Sequence, residues 1–227
     1  MYGRCSMPRR MPFAGVRKAI SQRLRPGFHE ALPVALMVEY SADKLLEHRR
    51  MLGNRVSFTA YGVKAAALAL REMPELNVTL EGEELVYHDD VNIAVAVHTP
   101  RGLRAPVVRE ADKKTLIEIS NLIDEYAEKG KSGEITLAQQ SGHSFTVTNL
   151  GMMGITYFTP IINPPDIAIL AMGTTKPQTI PTNSGWKIAY IGYLTLVFDH
   201  RAIDGVPAAQ FLSIIKKFLE NPEQLEV

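Results

Sequence analysis

Apolar residues recur along this chain at two spacings, and the switches between them predict the order of its elements. Residues 15–24 carry Val16, Ala19, Ile20 and Leu24 on one helical face, and Arg25-Pro26-Gly27 stops that helix. Residues 32–40 alternate, with Val34, Leu36, Val38 and Tyr40 on one side, as a half-buried strand does. A helix over 42–52 puts Leu45, Leu46, Arg49 and Leu52 in register and ends at Gly53-Asn54. The stretch 57–73 is rich in alanine, the strongest helix former, and Pro74 closes it. Residues 77–80 and 84–87 read as a hairpin across Glu81-Gly82. Two strands, 91–98 and 103–108, flank a Pro100-Arg101-Gly102 turn. The helix predicted over 115–129 buries Leu116, Ile119, Ile123 and Tyr126, and a polar loop, 130–133, follows.

A short helical turn from Thr136 leads into a strand over 144–148. Gly151 and Gly154 then break the pattern, and Pro160, Pro164 and Pro165 keep the next segment from being central strand throughout. Residues 167–172 read as a buried strand, Thr182-Asn183-Ser184-Gly185 as a turn, and 187–198 as a long returning strand. The last helix, over 206–219, carries Val206, Phe211, Ile214, Ile215 and Phe218 at roughly helical spacing. Strands interrupted by helices at irregular intervals predict an α+β fold, a mixed β-sheet with helices packed on one side. No repeat or linker divides 13–227, which reads as one domain behind a flexible basic arm, 1–12.

Composition narrows the function classes. A chain of 227 residues can bury one substantial core. The net charge of +1 offers no bulk attraction to nucleic acid or acidic membranes. Arg4, Arg9, Arg10, Arg17, Lys18, Arg23 and Arg25 cluster early but without interleaved aromatics, so they read as a solvated arm and one helix face. The only cysteine, Cys5, excludes an internal disulfide and fits a reducing compartment. No apolar run approaches the ~18 residues of a membrane span. Residues 1–12 lack the apolar core of a secretory signal. The expected location is cytoplasmic, or the mitochondrial matrix in a eukaryote.

The candidate chemistry gathers in Phe198-Asp199-His200-Arg201-Ala202-Ile203-Asp204-Gly205. His200 stands where a strand gives way to a helix, with the Asp204 carboxylate four positions on. That junction suits a catalytic imidazole held by rigid elements and open to substrate. It equally suits a hydrogen-bonded core histidine with Asp204 as helix N-cap. The other histidines, His29, His48, His88, His98 and His143, have no motif around them and read as surface or structural. No P-loop, no G-x-S-x-G elbow and no H-E-x-x-H is present, and a metal site is not expected.

The octapeptide resembles the D-H-R-x-x-D-G signature of the dihydrolipoamide acyltransferases, the E2 cores of 2-oxo acid dehydrogenase complexes. Chloramphenicol acetyltransferase carries a related H-x-x-x-D-G. Further blocks run in the family's order: Val16-Arg-Lys-Ala-Ile20, Val91-Asn-Ile-Ala-Val-Ala-Val97 with Thr99-Pro-Arg-Gly-Leu103, Ser144-Phe-Thr-Val-Thr-Asn-Leu-Gly-Met-Met-Gly154, and Thr159-Pro-Ile-Ile-Asn-Pro-Pro165. The resemblance covers the chain from about Phe13 onward. It implies the chloramphenicol-acetyltransferase-like fold and a homotrimer, in many members built further into a cube or dodecahedron.

It also implies an activity: acyl transfer between dihydrolipoamide and coenzyme A, with E1 and E3 enzymes as partners. Coenzyme A would be a substrate, and the lipoyl group would come from another domain or chain. Carried over by motif, His200 is the general base. Thr148, the hydroxyl before Asn149 in the F-T-V-T-N block, is the oxyanion donor. Asp204 aims the imidazole, with Arg17 as its candidate partner in a buried pair and Gly205 allowing close packing beside it. Without the resemblance, Thr148 reads as a β-branched strand filler. Two departures stand out. The family often has an acidic residue where His98 stands, and Arg25-Pro-Gly-Phe-His-Glu-Ala31 differs from the common helix exit. The lipoyl and subunit-binding domains usual in full-length members are absent from these residues. A free-standing O- or N-acyltransferase and a catalytically silent trimeric scaffold are therefore the alternatives.

Overall fold

The computed structural model describes residues 10–100, 102–183 and 185–226. Arg4, Cys5 and Arg9 of the basic arm, Arg101 in its turn and Ser184 in the later turn lie outside the described residues. The chain begins with helix α1 (Val16–Leu24), the single turn α2 (Pro26–His29) and strand β1 (Pro33–Ser41). Helices α3 (Asp43–Met51) and α4 (Phe58–Glu72) follow, then the hairpin β2 (Val78–Glu81) and β3 (Glu84–Tyr87). Four short strands come next: β4 (Ile93–Val95), β5 (Val97–Thr99), β6 (Gly102–Arg104) and β7 (Val107–Val108). Helix α5 (Leu116–Ser132) precedes β8 (Phe145–Asn149), β9 (Ala168–Thr182), β10 (Gly185–Asp199) and helix α6 (Gly205–Glu220).

Local chemistry sets the helix ends. The Ser57 side chain accepts from Ala60 N at the start of α4, and Thr115 and Glu118 form a reciprocal capping box on α5. Gly133, at φ 82°, closes α5 in the left-handed conformation that glycine adopts without steric cost.

The main sheet has the order β1-β10-β9-β8-β4-β7. The pairs β8–β9 and β4–β8 are parallel and the others antiparallel, so the expected mixed sheet is observed. Successive strand residues point to opposite faces. On β8, Phe145 and Val147 enter the main core, where Phe145 meets Phe211 of α6 edge-on at 5.6 Å. Thr146 and Thr148 therefore face the other way. Helices α4, α5 and α6 bury Tyr61, Leu70, Ile119, Phe211 and Ile215 against that first face, and α3 adds Leu45. The one-sided packing holds for these four helices. The short α1 instead lies over the opposite face, beside Thr146 and Thr148.

Two further departures from the sequence pattern have simple causes. The strands expected over 91–98 and 103–108 each divide between two sheets: β4 and β7 pair in the main sheet, β5 and β6 pair with each other. Pro106 sits at the bend and has no N–H to continue a ladder. Strand β9 runs on past Met172 to Thr182 despite Pro177 and Pro181. Beyond Met172 it has no β8 neighbour, so both prolines occupy an edge where a missing donor costs nothing. The far end of the β9–β10 hairpin also extends past β1, whose pairing stops at Ile191, and it carries the exposed Trp186 and Ile188.

Candidate active site

His200 is presented by a tight turn between β10 and α6. Its backbone N–H donates to Leu32 O at 2.9 Å, which pins the turn to the residue before β1. Phe198 places its ring 5.9 Å from the imidazole. The side chain is 46% exposed, with Nδ1 3.8 Å from Asp204 Oδ1, so the imidazole is open to a substrate.

The turn is held by a pair to which the sequence reading gave no role. Asp199 is buried and accepts from the backbone N–H of Leu32 (3.1 Å) and of Arg201 (3.0 Å). Arg201 grips the same carboxylate through Nε and Nη2, the latter at 2.7 Å. Burial would raise the Asp199 pKa, but the Arg201 hydrogen bonds and the two backbone donors outweigh it and hold the carboxyl below its ordinary value. The signal was in the octapeptide, where an acid and an arginine flank His200 two positions apart.

The buried Arg17–Asp204 pair is not formed within the chain. Asp204 is 85% exposed, and its ion-pair neighbour among the described residues is His200. Arg17 points outward from α1, whose residues are all unburied. Asp204 occupies the N-cap position of α6 without a side-chain cap bond, a place where the helix dipole favours a carboxylate left in water. Gly205 is likewise not confined, since a Cβ there would meet nothing within 4 Å.

Thr148 sits elsewhere. It is half-buried on β8 and lines a cavity of about 490 Å³ beneath α1. The walls are mostly apolar, with Val16, Ile20 and Leu24 of α1 facing Ile161 and Ile169. Thr146, Asn163 and Arg23 supply polar groups. Asn149 points to the helix face, where it donates to Thr59 Oγ1 at 3.0 Å and accepts from Gly151 N at 2.8 Å. It therefore locks the strand end rather than facing the cavity.

Within one chain His200 and Thr148 are far apart. Thr148 pairs with Ala171, which pairs with Thr195, two strands away and five residues short of His200. Strand geometry then separates them by roughly 20 Å. No single thioester carbon can touch both.

The chain is similar to acyltransferases of the 2-oxoacid dehydrogenase complexes. Residues 6–227 match the family model described as 2-oxoacid dehydrogenases acyltransferase (catalytic domain). A dihydrolipoyllysine-residue succinyltransferase component of the 2-oxoglutarate dehydrogenase complex from Haemophilus influenzae is 37% identical over 96% of this chain. The match spans 55% of that relative's length. A probable dihydrolipoamide acetyltransferase from Listeria monocytogenes superposes with a TM-score of 0.89 at 31% identity, covering 94% of this chain and 95% of that one. Chloramphenicol acetyltransferase, at 15% identity and a TM-score of 0.53 over 88% of this chain and 92% of that one, shares the fold. With its α+β architecture and its motif blocks in the family's order, the chain belongs to the catalytic-domain family of the 2-oxoacid dehydrogenase acyltransferases.

Proposed function

We propose that the chain transfers an acyl group between the sulfur of a dihydrolipoyl arm and that of coenzyme A, at a site completed by two protomers of a homotrimer. The observation that carries this is the roughly 20 Å between His200 and Thr148: each is open to substrate, and neither can serve the other within one chain. A symmetric ring brings the His200 turn of one protomer to the Thr148 cavity of the next. Exposed apolar side chains supply surface for that contact, among them Trp186 and Ile188 on the hairpin and Met152 and Met153 after β8.

At such a site His200 Nε2 takes the proton of the attacking thiol. The thiolate forms a new C–S bond at the thioester carbonyl, and the oxygen gains the negative charge. The partner subunit's Thr148 hydroxyl donates a hydrogen bond to that oxygen, which exists as an anion only near the transition state. The intermediate collapses, the original C–S bond breaks, and the departing thiolate recovers the proton from His200. Asp204, whose Oδ1 lies 3.8 Å from Nδ1, helps to aim the ring. The apolar cavity walls exclude water that would hydrolyse the thioester.

The lipoyl group is presented by another domain or chain; an E1 enzyme loads the acyl group onto it, and an E3 enzyme reoxidises the dihydrolipoyl product. The test is to assay the purified chain with free dihydrolipoamide and a panel of acyl-CoAs, beside alcohol and amine acceptors. Transfer to the dithiol is expected. Transfer to a hydroxyl or amine with none to the dithiol would sink this reading, and no transfer to any acceptor would favour a silent scaffold.

A further inference from the structure

Behind the Thr148 cavity lies a polar cluster that the reaction derived above does not use. His143 and Asp166 have side chains 1% and 0% exposed, and His143 Nδ1 stands 2.6 Å from Asp166 Oδ1. The other Asp166 oxygen accepts from Thr146 Oγ1 at 2.5 Å, and Thr146 accepts from Asn163 Nδ2 at 3.2 Å. On the far side of the imidazole, Arg23 Nη2 lies 3.1 Å from Nε2, and Arg23 Nε donates to Asn163 Oδ1 at 3.2 Å. A guanidinium has no lone pair to offer, so Nε2 must accept. The imidazole proton then sits on Nδ1, directed at Asp166. His143 is therefore neutral here, and the direction of each bond in the cluster follows.

This cluster joins the cavity's lid to its floor. Helix α1 buries no residue of its own. It rests on β6, where Val16 and Ile20 close over Gly102, and Arg23 in its last turn ties it by polar bonds to Asn163 and His143. Thr146, at the other end of the cluster, stands two residues from Thr148 on the same face of β8.

We propose that His143 is a positioning residue for acyl transfer. As a neutral imidazole backed by Asp166 it fixes the Arg23 guanidinium, which keeps α1 seated over the cavity at the width a thioester-bearing arm requires. The proposal rests on the reading that this cavity takes a substrate arm. It assigns His143 to substrate binding and leaves proton transfer to His200.

Steady-state kinetics with free dihydrolipoamide and either acetyl-CoA or succinyl-CoA, on the intact chain, test it. Arg23→Met keeps the aliphatic stem and removes the tie. The lost charge-assisted bond should raise KM for at least one substrate by about tenfold, with kcat within about twofold of wild type. His143→Leu should do the same. His143→Gln should restore near-native KM, because a carboxamide oxygen can accept from Arg23 while its NH₂ donates to Asp166. If His143→Leu fails to fold, having left Asp166 buried and unpaired, the exposed Arg23→Met decides alone. Unchanged KM in Arg23→Met, or His143→Gln as impaired as His143→Leu, overturns the proposal. Thr148→Ala run alongside separates the two ideas: undiminished kcat there overturns the cavity reading itself. A damaged Thr148→Ala with unchanged KM in Arg23→Met overturns only the role of His143.

Discussion

Base and oxyanion donor act on different things, so their substitutions should differ in kind. His200→Ala leaves the thiol to be deprotonated by water and should slow turnover by ~10²–10⁴-fold. Thr148→Ala removes one bond to a transient anion and should cost on the order of 10²-fold, nearly all in kcat. Thr148→Ser keeps the hydroxyl and should be mild, whereas Thr148→Val keeps the shape and should match the alanine variant. A strand filler would give the reverse order, so full turnover in Thr148→Val refutes the donor role. Asp199 makes a separate prediction. Its folded pKa is depressed, so its stabilising effect is complete above the unfolded carboxylate pKa of ~3.9 and is lost as pH falls through the lower folded value. Asp199→Asn should weaken the Arg201 grip at neutral pH, lower kcat by loosening the His200 turn, and flatten acid unfolding between those two values. An acid unfolding curve identical to wild type would show that the pair does not hold the turn.

Among the elements, the segment between β8 and β9 shapes the cavity wall through Pro160 and Ile161. It is fastened where Thr174 N donates to Ile155 O at 2.7 Å, and it crosses β9 so closely at Gly173 that an added Cβ would collide with the Thr156 carbonyl. Gly173→Ala should therefore displace this segment, destabilise the fold by about 1–3 kcal/mol and reduce activity. Denaturant titration and turnover would check both, and unchanged values in the two would show that the segment has slack. Elements of this kind mark the limit of the sequence. Periodicity located β1, α3, α4, α5 and α6 to within a few residues, because each alternates or repeats against one large core. It placed β8 and the turn bearing His200 as well. It missed the division of β4 from β5 and the proline-bearing end of β9, since strand partners rather than strand propensity decide those boundaries. It also gave His143 no more than a surface or structural role, because Arg23, Asn163 and Asp166 reach it across 120, 20 and 23 residues of chain.

For the whole molecule, the proposed catalytic site needs two protomers. Arg17 and Asp204 were paired in expectation and stand apart in the single chain, and Trp186 and Ile188 lie exposed on a hairpin that outruns its sheet. Both facts concern surfaces that a neighbouring protomer would cover. A decisive measurement mixes two impaired proteins, His200→Ala and Thr148→Ala, under conditions that dissociate and reassemble the proposed trimer. Each mixed trimer contains an interface that joins an intact His200 to an intact Thr148, so activity should rise on mixing well above that of either parent alone. If the mixture is no more active than its parents although exchange of protomers is demonstrated, both groups act within one chain and the two-protomer site is wrong.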